Sequence, residues 1–230
     1  MIEVGICGAS GKMGKRLIGL LETHQFLSLK LGETFTHDLP ISLEKLKKID
    51  VLIDFSHPSA LSQYAPLLRE LRKPAVIGTT GYSEIQKEEI QKLSEVLPVV
   101  YSPNMSVGVN ILFELVEKAS SLFPKDFTPH ILELHHSEKK DSPSGTALLL
   151  KEKMSSLDQT SSTPIDSVRG GDIVGEHIVS FIGKGERIEL IHRAHSRDIF
   201  AVGALKAAQW IVHKKQGLYT LKDVIEGDGL

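Results

Sequence analysis

The chain has 230 residues, enough for one large domain or two modest ones around a real core. Hydrophobic residues make up 41% and charged residues 24%, with a net charge of -2, so nothing global points to nucleic acid or to an anionic membrane surface. No apolar run is long enough to span a bilayer, no basic stretch followed by an apolar one suggests a secretory leader, and the single cysteine excludes an internal disulfide and suits a reducing cytoplasm.

Residues 2–7, IEVGIC, form an apolar run of strand length that makes Cys7 a core residue and not a nucleophile. GASGKMG follows at 8–14, then KRLIGLLET at helical spacing. A second strand begins in FLSLKL at 26–31 and ends in LGETF. VLIDF at 51–55 is a third and precedes His57-Pro58. A helical pattern over 59–72, a strand and glycine turn in AVIGTTG at 75–81, a helix over 83–96 and a strand in PVVYSPN at 98–104 complete this half. Strands alternate with helices and are apolar on both faces, which predicts a parallel sheet covered by helices.

The pattern changes after Asn104. SVGVNILFELVEKASSLF is a long amphipathic helix, ILELHH at 131–136 a strand, 144–156 a helix and 158–164 an exposed loop. VSFIGKGERIELIHRAHS reads as two strands joined at Gly183-Lys184-Gly185, so this half is α+β with a more open, mainly antiparallel sheet. A final helix over 199–214 is expected to pack back on the first half. No internal repeat is present.

The loop Gly8-Ala9-Ser10-Gly11-Lys12-Met13-Gly14 leaves the first strand and opens the first helix. That is where a pyrophosphate is cradled: small residues admit the backbone, and the helix start offers unpaired N–H groups and a positive dipole end. The spacing is GxxGxxG, and a bare tight turn is the plain alternative. Glu33 falls about where a carboxylate accepts hydrogen bonds from an adenosine ribose, which favours NAD over NADP; a solvated loop residue is the alternative. Gly78-Thr79-Thr80 and Ser102-Pro103-Asn104-Met105 end later strands, where ligands of open parallel sheets bind.

In ELHHSEKKDSPSGTALLL, at 133–150, two imidazoles and two ammonium groups precede a helix start at Ser144-Gly145-Thr146. Ser144 or Thr146 can cap that helix, and the same N–H groups bind carboxylates. Period two puts His135 on the side of Glu133 and His136 on the side of Leu134. Histidine exchanges a proton near neutral pH, and an ammonium supplies one to a developing anion. The stretch is either a solvated connector or an anion and proton site. Arg193, His195 and Arg197 would reinforce such a site if the sheet brings them close.

GASGKMG, IDFSHP, VIGTTG, SPNMSVGVN, ELHHSEKKDSPSGTA, GDIVGEH and ERIELIHRAHSR together resemble the dihydrodipicolinate reductase family, the 4-hydroxy-tetrahydrodipicolinate reductases of diaminopimelate and lysine synthesis. The motifs run in family order over nearly the whole chain. The resemblance implies an α/β chain: a Rossmann domain from 1–105 and 198–230, and a central substrate and tetramerisation domain over 106–197. It implies NADH or NADPH as cofactor, no metal, a cyclic dicarboxylate substrate and a cytoplasmic homotetramer. The implied reaction is hydride transfer to a conjugated imine left after water loss, in which closure of the two domains would bring the reactants together.

Carried over by residue, the resemblance makes His135 a proton donor/acceptor and Lys139 a proton donor. His136, Gly145 and Thr146 become substrate-carboxylate ligands. Gly8 to Met13, Glu33, Gly78 to Thr80 and Ser102 to Met105 become the cofactor site. The segment after Glu33 is shorter than is usual, and Thr34 stands where an arginine often grips NADP, so cofactor preference stays open. Another two-domain nicotinamide oxidoreductase on an amino-acid-like substrate, or a non-catalytic dinucleotide sensor, is the alternative.

Overall fold

The structure, a computed structural model, describes residues 1–23, 26–154 and 163–227. The chain forms two compact units, Met1–Val107 with Asp198–Leu230, and Gly108–Arg197.

In the first unit β1 (Ile2–Cys7), α1 (Lys12–Glu22), β2 (Leu29–Phe35), α2 (Leu43–Lys47), β3 (Val51–Asp54), α3 (Leu61–Leu71), β4 (Ala75–Ile77), α4 (Glu84–Ser94) and β5 (Pro98–Tyr101) alternate as expected, with the short α2 the one of these helices that the sequence pattern did not suggest. After the second unit the chain returns as α7 (Asp198–Ile211), β10 (Gly217–Tyr219) and α8 (Leu221–Glu226). The six strands are all parallel, in the order β10-β5-β4-β3-β1-β2. Period two explains the apolar runs. Val51 and Ile53 join Leu17, Leu21 and Leu205 on one face, while Leu52 joins Leu61, Leu68 and Leu93 on the other. The chain lays β2 on one side of β1 and β3 on the other. That reversal opens a crevice beyond the carboxyl ends of these strands, where open sheets of this kind bind ligands.

The second unit holds α5 (Val107–Ser120), β6 (Thr128–His135), α6 (Gly145–Lys153), β7 (Ile165–Arg169), β8 (Gly175–Gly183) and β9 (Glu186–Ala194). Its sheet, β7-β6-β8-β9, matches the expected antiparallel pattern only in part and is mixed: β8 runs antiparallel to β6 and β9, but β7 is parallel to β6. The sequence hid β7 because IDSVR is a half-exposed edge strand without a clear apolar alternation. Leu112, Phe113 and Val116 of α5 and Ala147 and Leu150 of α6 cover one face of the sheet through Ile131, Val179 and Phe181. Glu133 and His135 belong to this covered face by period. The loop expected at 158–164 lies outside the described residues except for Thr163, which is buried, and Pro164, which is exposed.

Candidate active site

The first unit builds a nucleotide-sized cavity at the reversal in strand order. Gly8 ends β1 at φ +84, and a Cβ there would lie 2.4 Å from the Phe55 carbonyl oxygen. A Cβ on Gly14 would lie 2.3 Å from the Gly8 carbonyl oxygen, so glycine lets α1 press against the loop. Gly11 is the N-cap of α1 and has no side chain to bond the first-turn N–H groups, which stay ready for an anion. A cavity of about 510 Å³ opens beside this loop, lined among others by Gly8, Ser10, Gly11, Thr36, His37 and Ser56. None of its lining residues among the described ones is a carboxylate. The glycine cradle, the uncapped helix start and the cavity fit a dinucleotide.

The other expected cofactor residues stand as follows. Ala9 is buried, Lys12 is exposed, and Met13 packs on the core. Glu33 lies two residues before the end of β2, pairs with Lys48 at 3.4 Å and does not line the cavity. Gly78 is pressed against the Phe55 ring, and Thr79 turns its hydroxyl inward to Asp54 at 2.9 Å. Thr80 follows it in the loop after β4. Ser102 donates to the Asn104 carbonyl at 2.8 Å, Asn104 accepts from the Ser106 N–H at 2.9 Å, and Met105 is in the core. Pro103 is exposed between them.

Asp54, at the end of β3, is a residue the motif reading passed over. Its buried carboxylate accepts from Ser56 N–H at 3.0 Å, Ser56 Oγ, Thr79 Oγ1 at 2.9 Å, Tyr64 OH at 3.0 Å and Tyr82 OH at 3.1 Å. Burial first, then the Asp54 charge, raises both phenols above their ordinary range, so they remain donors. The same two causes push the Cys7 thiol up to about 12, which leaves it inert.

The second unit gathers the other cluster. β6 ends at His135, so Glu133 and His135 face one way and His136 begins the next loop. Glu133 is fully buried. One of its oxygens contacts His135 Nδ1. The other accepts from Arg169 Nη2 of β7 at 2.7 Å and from the Ser144 N–H at 3.3 Å. Arg169 also donates to the Asp141 carbonyl at 2.6 Å, and Lys139 pairs with Asp141 at 2.8 Å. Ser144 caps α6 through the Ala147 N–H at 3.2 Å and meets His177 Nε2 at 3.3 Å. The His177 ring stands edge-on to His135 at 5.2 Å. Gly145 and Thr146 form the first turn of α6, and a Cβ on Gly145 would meet nothing within 4 Å. Lys140 is exposed.

The charges balance within this cluster. Burial would raise the Glu133 carboxyl, but the Arg169 and Ser167 hydrogen bonds and the nearby cations bring it down to about 2. Burial lowers His135, Glu133 opposes this, and Lys139 and Arg169 add to the lowering. Burial, then the His135 charge, pushes His177 down to about 3. Glu133, His135 and His177 place one donor atom each within 4.8 Å of one another. Arg169 already supplies positive charge beside this group, and the remaining Glu133 oxygen faces His135 Nδ1. Arg193 pairs with Glu176 across β8 and β9 at 3.0 Å. This cluster was legible only in part. Period two points to Glu133, but Arg169 reaches it only because β7 pairs with β6, and His177 faces it only because β8 pairs with β6.

Residues 2–105 match the family model for the dihydrodipicolinate reductase N-terminus, and residues 108–225 match that for its C-terminus. The chain belongs to the dihydrodipicolinate reductase family. It is 39% identical to a 4-hydroxy-tetrahydrodipicolinate reductase of Syntrophotalea carbinolica, over 98% of this chain and 99% of that one. It is 41% identical to the protein of that name from Aquifex aeolicus, over 97% of this chain and 98% of that one. Among solved structures, a dipicolinate-bound dihydrodipicolinate reductase from Paenisporosarcina sp. TG-14 shares the fold, with a TM-score of 0.81 and 24% identity over 96% of this chain and 97% of that one.

Proposed function

We propose that this chain reduces 4-hydroxy-tetrahydrodipicolinate to tetrahydrodipicolinate in diaminopimelate and lysine synthesis, using NADH or NADPH. The observation that carries the reading is the family's polar stretch folded as one cluster, with His135 seated on buried Glu133 and Lys139 held by Asp141 in the loop that follows. A reduced nicotinamide, when bound, supplies the hydride. The residues of this chain hold the reactants and move the proton. The first-turn N–H groups of α1 and the Gly8–Gly11 loop receive the pyrophosphate. His136, Gly145 and Thr146 receive the substrate carboxylates. Lys139 gives a proton to the electron-rich product, and His135 exchanges one beside it.

The ribose role expected of Glu33 passes to Thr36 and His37, which line the cavity beyond the end of β2. That lining sets no carboxylate among the described residues against a 2′-phosphate, which supports acceptance of either cofactor. Val168, Ile182 and Ile191 are exposed and share the sheet face opposite Glu133 and His135, the surface a homotetramer would cover. Light scattering reads the mass; a monomer contradicts the tetramer. The activity itself is tested by generating the substrate with its synthase and following NADH and NADPH oxidation side by side.

A further inference from the structure

Glu133 is the most deeply buried charged group of the second unit's cluster. Its two oxygens have different partners. Arg169 and the Ser144 N–H hold one, and His135 Nδ1 meets the other. Arg169 is fixed in turn by the Asp141 carbonyl, at the foot of the loop that carries Lys139. The other nitrogen of His135, Nε2, lies on the side of Gly175, where a Cβ would approach to 3.0 Å.

We propose that Glu133, locked by Arg169, is a positioning residue for His135: it accepts the hydrogen bond of Nδ1–H in the neutral ring and leaves Nε2 as the nitrogen that exchanges a proton in the reaction. The inference rests on the assignment of His135 as the proton donor/acceptor. A carboxylate that accepts from one ring nitrogen fixes the tautomer and the ring plane. Arg169 keeps that carboxylate ionised without giving it wholly to His135, so the imidazole is oriented and not permanently charged.

The charged and titratable groups that face His135 are Glu133 on β6, Arg169 on β7, His177 on β8 and Lys139 in the loop after β6. His192 of β9 lies beyond His177, and Asp141 pairs with Lys139. Of these, Glu133 alone pulls the imidazole toward its charged form. Glu133→Gln keeps the shape and an oxygen for Arg169, but removes the charge and offers an NH₂ that favours the other tautomer.

The test compares wild type, E133Q and H135Q in the coupled assay across pH. E133Q is expected to lower kcat by about 10-fold or more, with substrate KM within about threefold, the pattern of lost orientation. The titration that His135 contributes to the pH profile moves to lower pH. An unchanged kcat and an unmoved profile in a folded E133Q would overturn the inference while the His135 assignment stands. If H135Q turns over like wild type, the assignment falls and the inference with it. Should E133Q not fold, nitrogen NMR of wild type labelled on histidine, with H135Q to identify the signal, decides instead. An Nδ1-protonated neutral ring supports the inference, and an Nε2-protonated one overturns it.

Discussion

Replacing Asp54 by asparagine tests whether the floor of the first unit's cavity is built on a charge. The carboxylate is almost wholly buried and accepts from Ser56, Tyr64, Thr79 and Tyr82. Hydrogen bonds to a charged group contribute about 1.5–3 kcal/mol each, against about 1 for neutral pairs. Asparagine keeps one oxygen for Ser56 and turns an NH₂ toward the three hydroxyls, of which at most two can rotate to accept from it. Losing about 1 kcal/mol of charge assistance at each hydroxyl contact gives a destabilisation of about 3 kcal/mol. The opposing effect is relief from burying a charge, which can make such a replacement neutral or stabilising. Here the donors surround the carboxylate, so the loss wins. Urea unfolding at neutral pH measures it, and fluorescence titration should show weaker NADPH binding, because Ser56 lines the cavity. A D54N protein as stable as wild type would refute the reasoning.

Lys139→Ala should lower kcat by about 10²–10⁴-fold, the usual range for a lost proton-transfer group, while NADH affinity measured by fluorescence stays unchanged. Acid should weaken the second unit through Glu133. Its carboxyl falls from an ordinary 4.5 to about 2, so it contributes on the order of 3 kcal/mol above about pH 5, and this is lost as pH falls toward 2. The stability difference between wild type and E133Q in urea should therefore narrow on acidification; a constant difference contradicts it. Glu33→Ala should leave NADH and NADPH affinities within about twofold, whereas His37→Asp should weaken NADPH more than NADH through repulsion of the 2′-phosphate. Equal weakening by His37→Asp would remove that residue from the ribose site.

The first unit was legible because its strands are buried on both faces. Val51 and Ile53 feed one core and Leu52 the other, and such a run admits few readings. The glycine turns carried their own geometry, with Gly8 at positive φ. What escaped was short or polar: β10 has three residues, and IDSVR exposes alternate side chains at a sheet edge. Missing β7 hid Arg169, and with it the reason a buried Glu133 stays charged. Period two did place His135 beside Glu133, as the contact between them bears out. Glu33 looked like the ribose acid because LGETF reads as a strand end, but along this stretch the cavity is lined by Phe35, Thr36 and His37.

The most direct measurement is the coupled assay with synthase-generated substrate, run on wild type with each reduced nicotinamide. The account predicts substrate-dependent oxidation of both NADH and NADPH. Tight cofactor binding with no substrate-dependent oxidation of either would contradict it and leave a dinucleotide sensor in its place.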